Sequence, residues 1–124
     1  MDIHKYWSAV LRQDRAATAE FFADDAWVNW HNTNEHFTAT EFIRANCEYP
    51  GRWDGEVERI VENGDLVITV THVYDREKIM SFHVVSFLCV KNDKIQSVDE
   101  YWGDDGEPPL WRQELGIGNP IRKG

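Results

Sequence analysis

The chain has 124 residues and a mass of 14.5 kDa, one domain's worth, long enough to bury roughly two-thirds of its unfolded surface without disulfides or a structural metal. Thirteen Lys and Arg against twenty-two Asp and Glu give a net charge of −9, the wrong balance for tracking phosphates, so neither nucleic acid nor an anionic membrane surface is an expected partner. The 42% hydrophobic and 28% charged content excludes a disordered chain.

The N-terminal third reads as helix. Ile3, Tyr6, Trp7, Val10 and Leu11 recur at helical spacing and form one apolar stripe. Asp14 is placed to cap a second, short helix that runs through Ala16, Ala17 and Ala19 to Phe21–Phe22. The aromatic run from Ala26 to Asn32 half alternates and predicts a strand. Thr38-Ala-Thr-Glu41 is a capping box that opens a third helix with Phe42, Ile43 and Cys47 on its apolar face. Pro50–Gly51 stops it.

Four long strands follow. Trp53–Glu62 and Leu66–Tyr74 are joined by Asn63-Gly64-Asp65, the strongest hairpin signal in the chain. Ile79–Val90 follows the turn Asp75–Lys78, and Lys94–Trp102 follows Asn92–Asp93. Residues 105–124 form a tail rich in Gly and Pro. The order predicts a single α+β domain over 1–124, in which three helices of the N-terminal half pack on a curved, cone-shaped antiparallel sheet. Its core spans about 3–104. A sheet coiled in this way has one open end, suited to a small molecule.

The helix pair running into Phe22-Ala-Asp-Asp-Ala26, and the closing strand from Lys94–Ile95 to Asp99-Glu100-Tyr101-Trp102-Gly-Asp104, resemble the nuclear transport factor 2-like superfamily. The nearest flavour is its SnoaL-like group, which is similar to polyketide cyclases and ketosteroid isomerases. The resemblance implies a cone-shaped α+β fold and a dimer. It implies no single function, because this fold serves many chemistries. For an isomerase it places the helix-borne tyrosine at Tyr6, the carboxylate base at Trp30 and the second acid at Ser86. Trp30 and Ser86 cannot perform those roles, so isomerase-type proton shuttling is not expected. Related epoxide hydrolases and cyclases imply instead an acid on the closing strand.

That acid is Glu100, which shares a face with Val98 and Trp102 by period two. Facing inward, it lies among Trp30, Phe82 and Trp102, where desolvation raises its proton affinity. A two-residue turn at Asn92–Asp93 that pairs Lys91 with Lys94 points to Asp99 instead, since a one-residue slip exchanges the faces. Glu100 reads equally as a buried structural acceptor. Tyr6 reads as a hydrogen-bond donor or as a member of the core stripe. Trp30, Asn32, Thr69, Thr71, Phe82, Val84, Ser86 and Trp102 share the inner parity and are expected to line a largely apolar pocket. The hydroxyls of Thr69, Thr71 and Ser86 are open to an ordinary strand role.

The outer parity collects Ile68, Val70, Tyr74, Val85, Phe87 and Tyr101 together with His72 and His83. That much apolar surface predicts a homodimer interface. The six tryptophans accord with either a cavity or such an interface. The histidine spacings match no metal motif, so no metal is expected; no organic cofactor is expected either. Cys47 and Cys89 match no redox spacing, and the N-terminal Asp2, His4 and Lys5 match no leader, so a cytoplasmic protein with reduced thiols is expected. Three functions remain open: a lyase, isomerase or cyclase acting on a small apolar ring compound, a binding protein for such a compound, and a purely associative domain.

Overall fold

The computed structural model describes residues 1–122, so the last two residues of the tail lie outside the described residues. Helix α1 (Ile3–Leu11) starts at Asp2, whose side chain accepts from the amide of Lys5, and α2 (Arg15–Ala19) starts at Asp14, which accepts from Ala17. The capping box of α3 (Ala39–Cys47) is complete, with Thr38 and Glu41 each bonded to the other's backbone amide. Helix α2 ends sooner than its sequence suggests. Phe22 already belongs to strand β1 (Phe22–Trp30), and the chain closes onto the last strand through the Ile95 amide and the Phe21 carbonyl. A short 3₁₀ turn (His31–Thr33) and strand β2 (Glu35–Thr38) lead into α3.

Strands β3 (Trp53–Asn63), β4 (Leu66–Asp75), β5 (Ser81–Lys91) and β6 (Lys94–Asp104) are consecutive antiparallel neighbours. The predicted turn at Asp75–Lys78 extends to Met80, where the Asp75 side chain accepts from the Met80 amide and Lys78 adopts a left-handed conformation. The six-stranded sheet runs β2-β1-β6-β5-β4-β3, with β2 and β3 as free edges, so it curves without closing. One pair in it, β1 with β6, is parallel. Alternation fixes which face a residue occupies and says nothing of strand direction, so this pair was not readable from the pattern. A further helix, α4 (Leu110–Leu115), arises in the tail.

Register shifts interrupt β1–β6, β3–β4 and β5–β6. Such bulges add bend and twist and help the sheet to curl. At Gly55 the strands approach so closely that a Cβ would lie 2.3 Å from the carbonyl oxygen of His72. The core fills the concave side. Ile3, Tyr6, Trp7 and Val10 of α1 and Phe42 of α3 pack on Val28, Val67, Val84, Leu88 and Val98 of the sheet. Among the described residues no helix is long and apolar enough to cross a membrane.

Candidate functional site

The last hairpin decides which carboxylate faces inward. Lys91 does pair with Lys94 across Asn92–Asp93, both of which take left-handed backbone conformations. Continued unchanged, that register would set Asp99 opposite Ser86. A shift at Cys89/Val90 follows: Val90 pairs with Ile95, and Cys89 with Ser97. The one-residue bulge at Gln96 brings Glu100 opposite Ser86 and turns Asp99 outward, where its carboxylate meets Asn29 and His31.

Glu100 is therefore bracketed within the sheet. On the β1 side Trp30 is its register partner and donates from Nε1 to Oε1 at 3.0 Å. On the β5 side the Ser86 hydroxyl donates to Oε2 at 2.7 Å. Burial pushes the carboxyl above its ordinary range, against hydrogen bonds from Ser86, Trp30 and Trp102 that pull it down. Tyr6 is fully buried, and desolvation together with the nearby Glu100 raises its phenol well above the usual value.

Above this floor opens a cavity of about 510 Å³. Four of the six tryptophans line it: Trp7 from α1, Trp30 from β1, Trp53 from β3 and Trp102 from β6. Phe82 and Tyr49 continue the wall, with Trp53–Phe82 and Phe82–Trp102 centroids 6.0 and 6.2 Å apart. Of the residues expected to form the pocket, Trp30, Asn32, Phe82 and Trp102 line it. Thr69, Thr71, Val84 and Ser86 share the inner face but are wholly buried beneath it, as are Tyr6 and Glu100. Thr69 accepts the Trp7 indole N–H at 3.2 Å, whereas the Thr71 hydroxyl has no partner among the described residues.

Asn32 does not offer its amide to the cavity. It bonds both ways to the backbone of Trp102, at 2.6 Å to the carbonyl and 2.7 Å from the amide, and so fixes the rim. On the other rim Gln13, in a left-handed conformation, donates to the carbonyls of Asn46 and Tyr49, while Asn46 donates to that of Val10. The contributions of Trp7, Gln13, Asn46 and Trp53 depend on how helices and sheet close on one another. The signal for them in the sequence was the number of tryptophans.

The outer face brings His72 and His83 into register, with their rings stacked at 4.8 Å and 10°. Ligand atoms of these two and of Glu58 lie within 4.8 Å of one another, a grouping that linear spacing does not reveal. His83 is hydrogen-bonded to Asp105 at 2.5 Å and meets Glu58 at 3.2 Å; His72 meets Glu56 at 3.3 Å and Ser81 at 2.8 Å. Parallel stacked rings hold their in-plane lone pairs in separate planes, so one ion cannot take both without a ring turning.

These features define a curved α+β sheet domain with an aromatic cavity above a buried acid. The model of the SnoaL-like domain family matches residues 3–98, and the chain belongs to that family. Its fold is shared with a proposed ketosteroid isomerase from Kribbella flavida, at 24% identity over 96% of this chain and 87% of that one, with a TM-score of 0.79. A nuclear transport factor 2-like protein of unknown function from Burkholderia xenovorans is similar at 23% identity, with coverages of 95% and 91% and a TM-score of 0.76. An epoxide hydrolase of M. tuberculosis is similar at 14% identity, with coverages of 82% and 79% and a TM-score of 0.68. No curated protein sequence matches the chain.

Proposed function

We propose that this chain is a small-molecule-binding protein whose cavity takes a compact, largely apolar, ring-containing ligand. The carrying observation is the 510 Å³ cavity walled by Trp7, Trp30, Trp53, Trp102 and Phe82. Rings lining an open volume favour ligand binding over a domain whose interior is filled by its own aromatics. The test is loading with the neutral dye N-phenyl-1-naphthylamine, followed by its fluorescence. Saturable one-to-one binding is expected, and Leu11→Trp, at the cavity wall, should abolish it. A protein that takes up no dye refutes the reading.

A second reading, an enzyme of the lyase, isomerase or cyclase kind, is favoured by Glu100 and Tyr6 beneath the same rings. Glu100 would serve as general acid or base and Tyr6 as hydrogen-bond donor. Because Glu100 is buried outside the cavity lining and bonded by the indole of Trp30, which does line it, that indole has to swing aside before substrate reaches the acid. Turnover of small cyclic ketones or epoxides that Glu100→Gln abolishes, with dye binding retained, supports this reading. Turnover untouched by the variant removes Glu100 from it.

The outer sheet face is proposed to pair with a second copy. Support comes from Val70, Val85, Phe87 and Tyr101 on that face, none of them buried in the single chain. Two free thiols accord with a reducing, cytoplasmic setting.

A further inference from the structure

Almost every hydrogen-bond donor among the side chains of the cavity wall is already engaged elsewhere. Trp7 donates to Thr69, Trp30 to Glu100 and Trp53 to the carbonyl of Pro50. The amides of Asn32, Gln13 and Asn46 are held by backbone carbonyls, and the Thr33 hydroxyl by Glu35. The exceptions are the phenol of Tyr49, at the half-exposed rim, and the indole N–H of Trp102, which is turned toward Glu100. A ligand carbonyl, carboxylate or phosphate therefore finds little to bind it in the interior of this wall.

The charges point the same way. The lining holds no Lys, Arg or His, and its one carboxylate is Asp104, on β6 across from Phe82. Behind the rings Glu100 is fully buried, and its partners Trp30, Ser86 and Trp102 are all neutral. A buried acid without a cationic partner is a poorly compensated site whenever it ionises. Donation of an indole N–H to a carboxylate also enriches the ring in electron density, which strengthens its attraction for a cation. The whole chain, at net charge −9, favours the approach of positive ligands.

From this donor-poor, aromatic, acid-backed wall we infer that the ligand is an organic cation, a ring compound that carries an alkylammonium or quaternary ammonium group, with that group held by cation–π contact with Trp30 and Trp102 and by Asp104 at the rim. The inference rests on the reading of the cavity as a small-molecule site and adds the sign of the ligand's charge. It accounts for tryptophan, the best ring for such contacts, where leucine or phenylalanine would serve a neutral apolar ligand as well.

The test compares choline with its neutral isostere 3,3-dimethylbutan-1-ol by titration calorimetry on the full chain. Choline is expected to bind at least tenfold more tightly. Asp104→Asn, on the exposed rim, should weaken choline severalfold, leave the alcohol unchanged and preserve the circular dichroism spectrum. Equal or tighter binding of the alcohol overturns the inference, as does failure of both probes in a protein that still takes up N-phenyl-1-naphthylamine. Failure of the dye as well overturns the cavity reading itself, so the two failures are distinguishable.

Discussion

Trp30 and Glu100 stand side by side on the parallel strands β1 and β6, and the indole of the first donates to the carboxylate of the second at 3.0 Å. The pair joins the scaffold to the cavity, since one ring both satisfies the buried acid and forms wall. Ser86 completes the bracket from β5. Three positions to which the isomerase pattern assigns a phenol, a base and an acid thus converge on a single carboxylate supplied by a different strand.

The first prediction concerns the charge of that carboxylate. Burial outweighs the three hydrogen bonds, so the folded pKa of Glu100 lies above the unfolded value. The protonated form therefore favours folding: the contribution is full below the unfolded pKa and is lost as pH rises through the folded one. Glu100→Gln keeps an oxygen for Trp30 and turns its NH₂ toward the Ser86 oxygen. It should melt at or above the parent temperature at pH 8, with the advantage gone at pH 4. A lower melting point at pH 8 would show that the charged acid is part of the scaffold.

Much of this was legible in the sequence, and the reasons for the rest are specific. The Asp14 cap and the Thr38–Glu41 box carry their own hydrogen-bond chemistry, and the four long strands carry period two, so these elements read directly. The inward orientation of Glu100 was legible from the likeness of Glu100-Tyr101-Trp102 to the resembling family, whereas the turn alone indicated Asp99. The bulge at Gln96 reconciles them, and a bulge of that kind leaves no clear mark in composition. The roles of Trp7 and Trp53 in the cavity depend on the closing of layers distant in sequence, which periodicity does not encode.

A second prediction follows from a close backbone approach at Gly55. The carbonyl of His72 occupies the space a side chain at Gly55 would need, at 2.3 Å from a Cβ. Backbone cannot swing aside as a flexible side chain does, so Gly55→Ala has to push β3 from β4. The expected cost is about 1–3 kcal/mol in chemical denaturation. A neutral substitution would mean that the β3 edge separates freely.

The acid–imidazole pair on the outer face should make stability depend on pH at both ends. The Asp105 hydrogen bond, with help from Glu58, raises His83 above its ordinary 6.5 in spite of partial burial. Burial pushes Asp105 up, but hydrogen bonds from Ser81 and His83 bring it below its ordinary 3.8. The pair's contribution is therefore full between those two unfolded values. It is lost as pH rises through the folded value of His83, and again as pH falls through that of Asp105. His83→Gln should flatten the alkaline side of a melting profile between pH 6 and 9; an unaltered slope would assign the dependence to other groups.

Pairing of two copies through the outer sheet face is checked by mass. Sedimentation at micromolar concentration should report about twice the chain mass. Phe87, packed edge-on against Tyr101 at 6.0 Å on that face, is the residue to change. Phe87→Glu should yield a folded monomer, because the glutamate stays hydrated in the single chain and would be stranded in a dimer. A parent protein that sediments as a monomer removes the proposal.

Two threonines two residues apart on β4 provide the last prediction, because they differ in a single respect. Both are completely buried on the inner face. Thr69 accepts the indole N–H of Trp7, whereas the hydroxyl of Thr71 has no partner among the described residues. Valine matches threonine in shape and β-branching, so each substitution removes an oxygen with little change in packing or strand preference. Thr69→Val strands a buried N–H and should cost about 1–3 kcal/mol. Thr71→Val removes a group that is itself desolvated without compensation, and should be neutral or stabilising by up to about 1 kcal/mol. Denaturant titration of the two variants against the parent gives both values. If Thr71→Val proves as costly as Thr69→Val, the hydroxyl is held by an ordered water beneath the cavity, and the floor of the site is wetter than its side chains indicate.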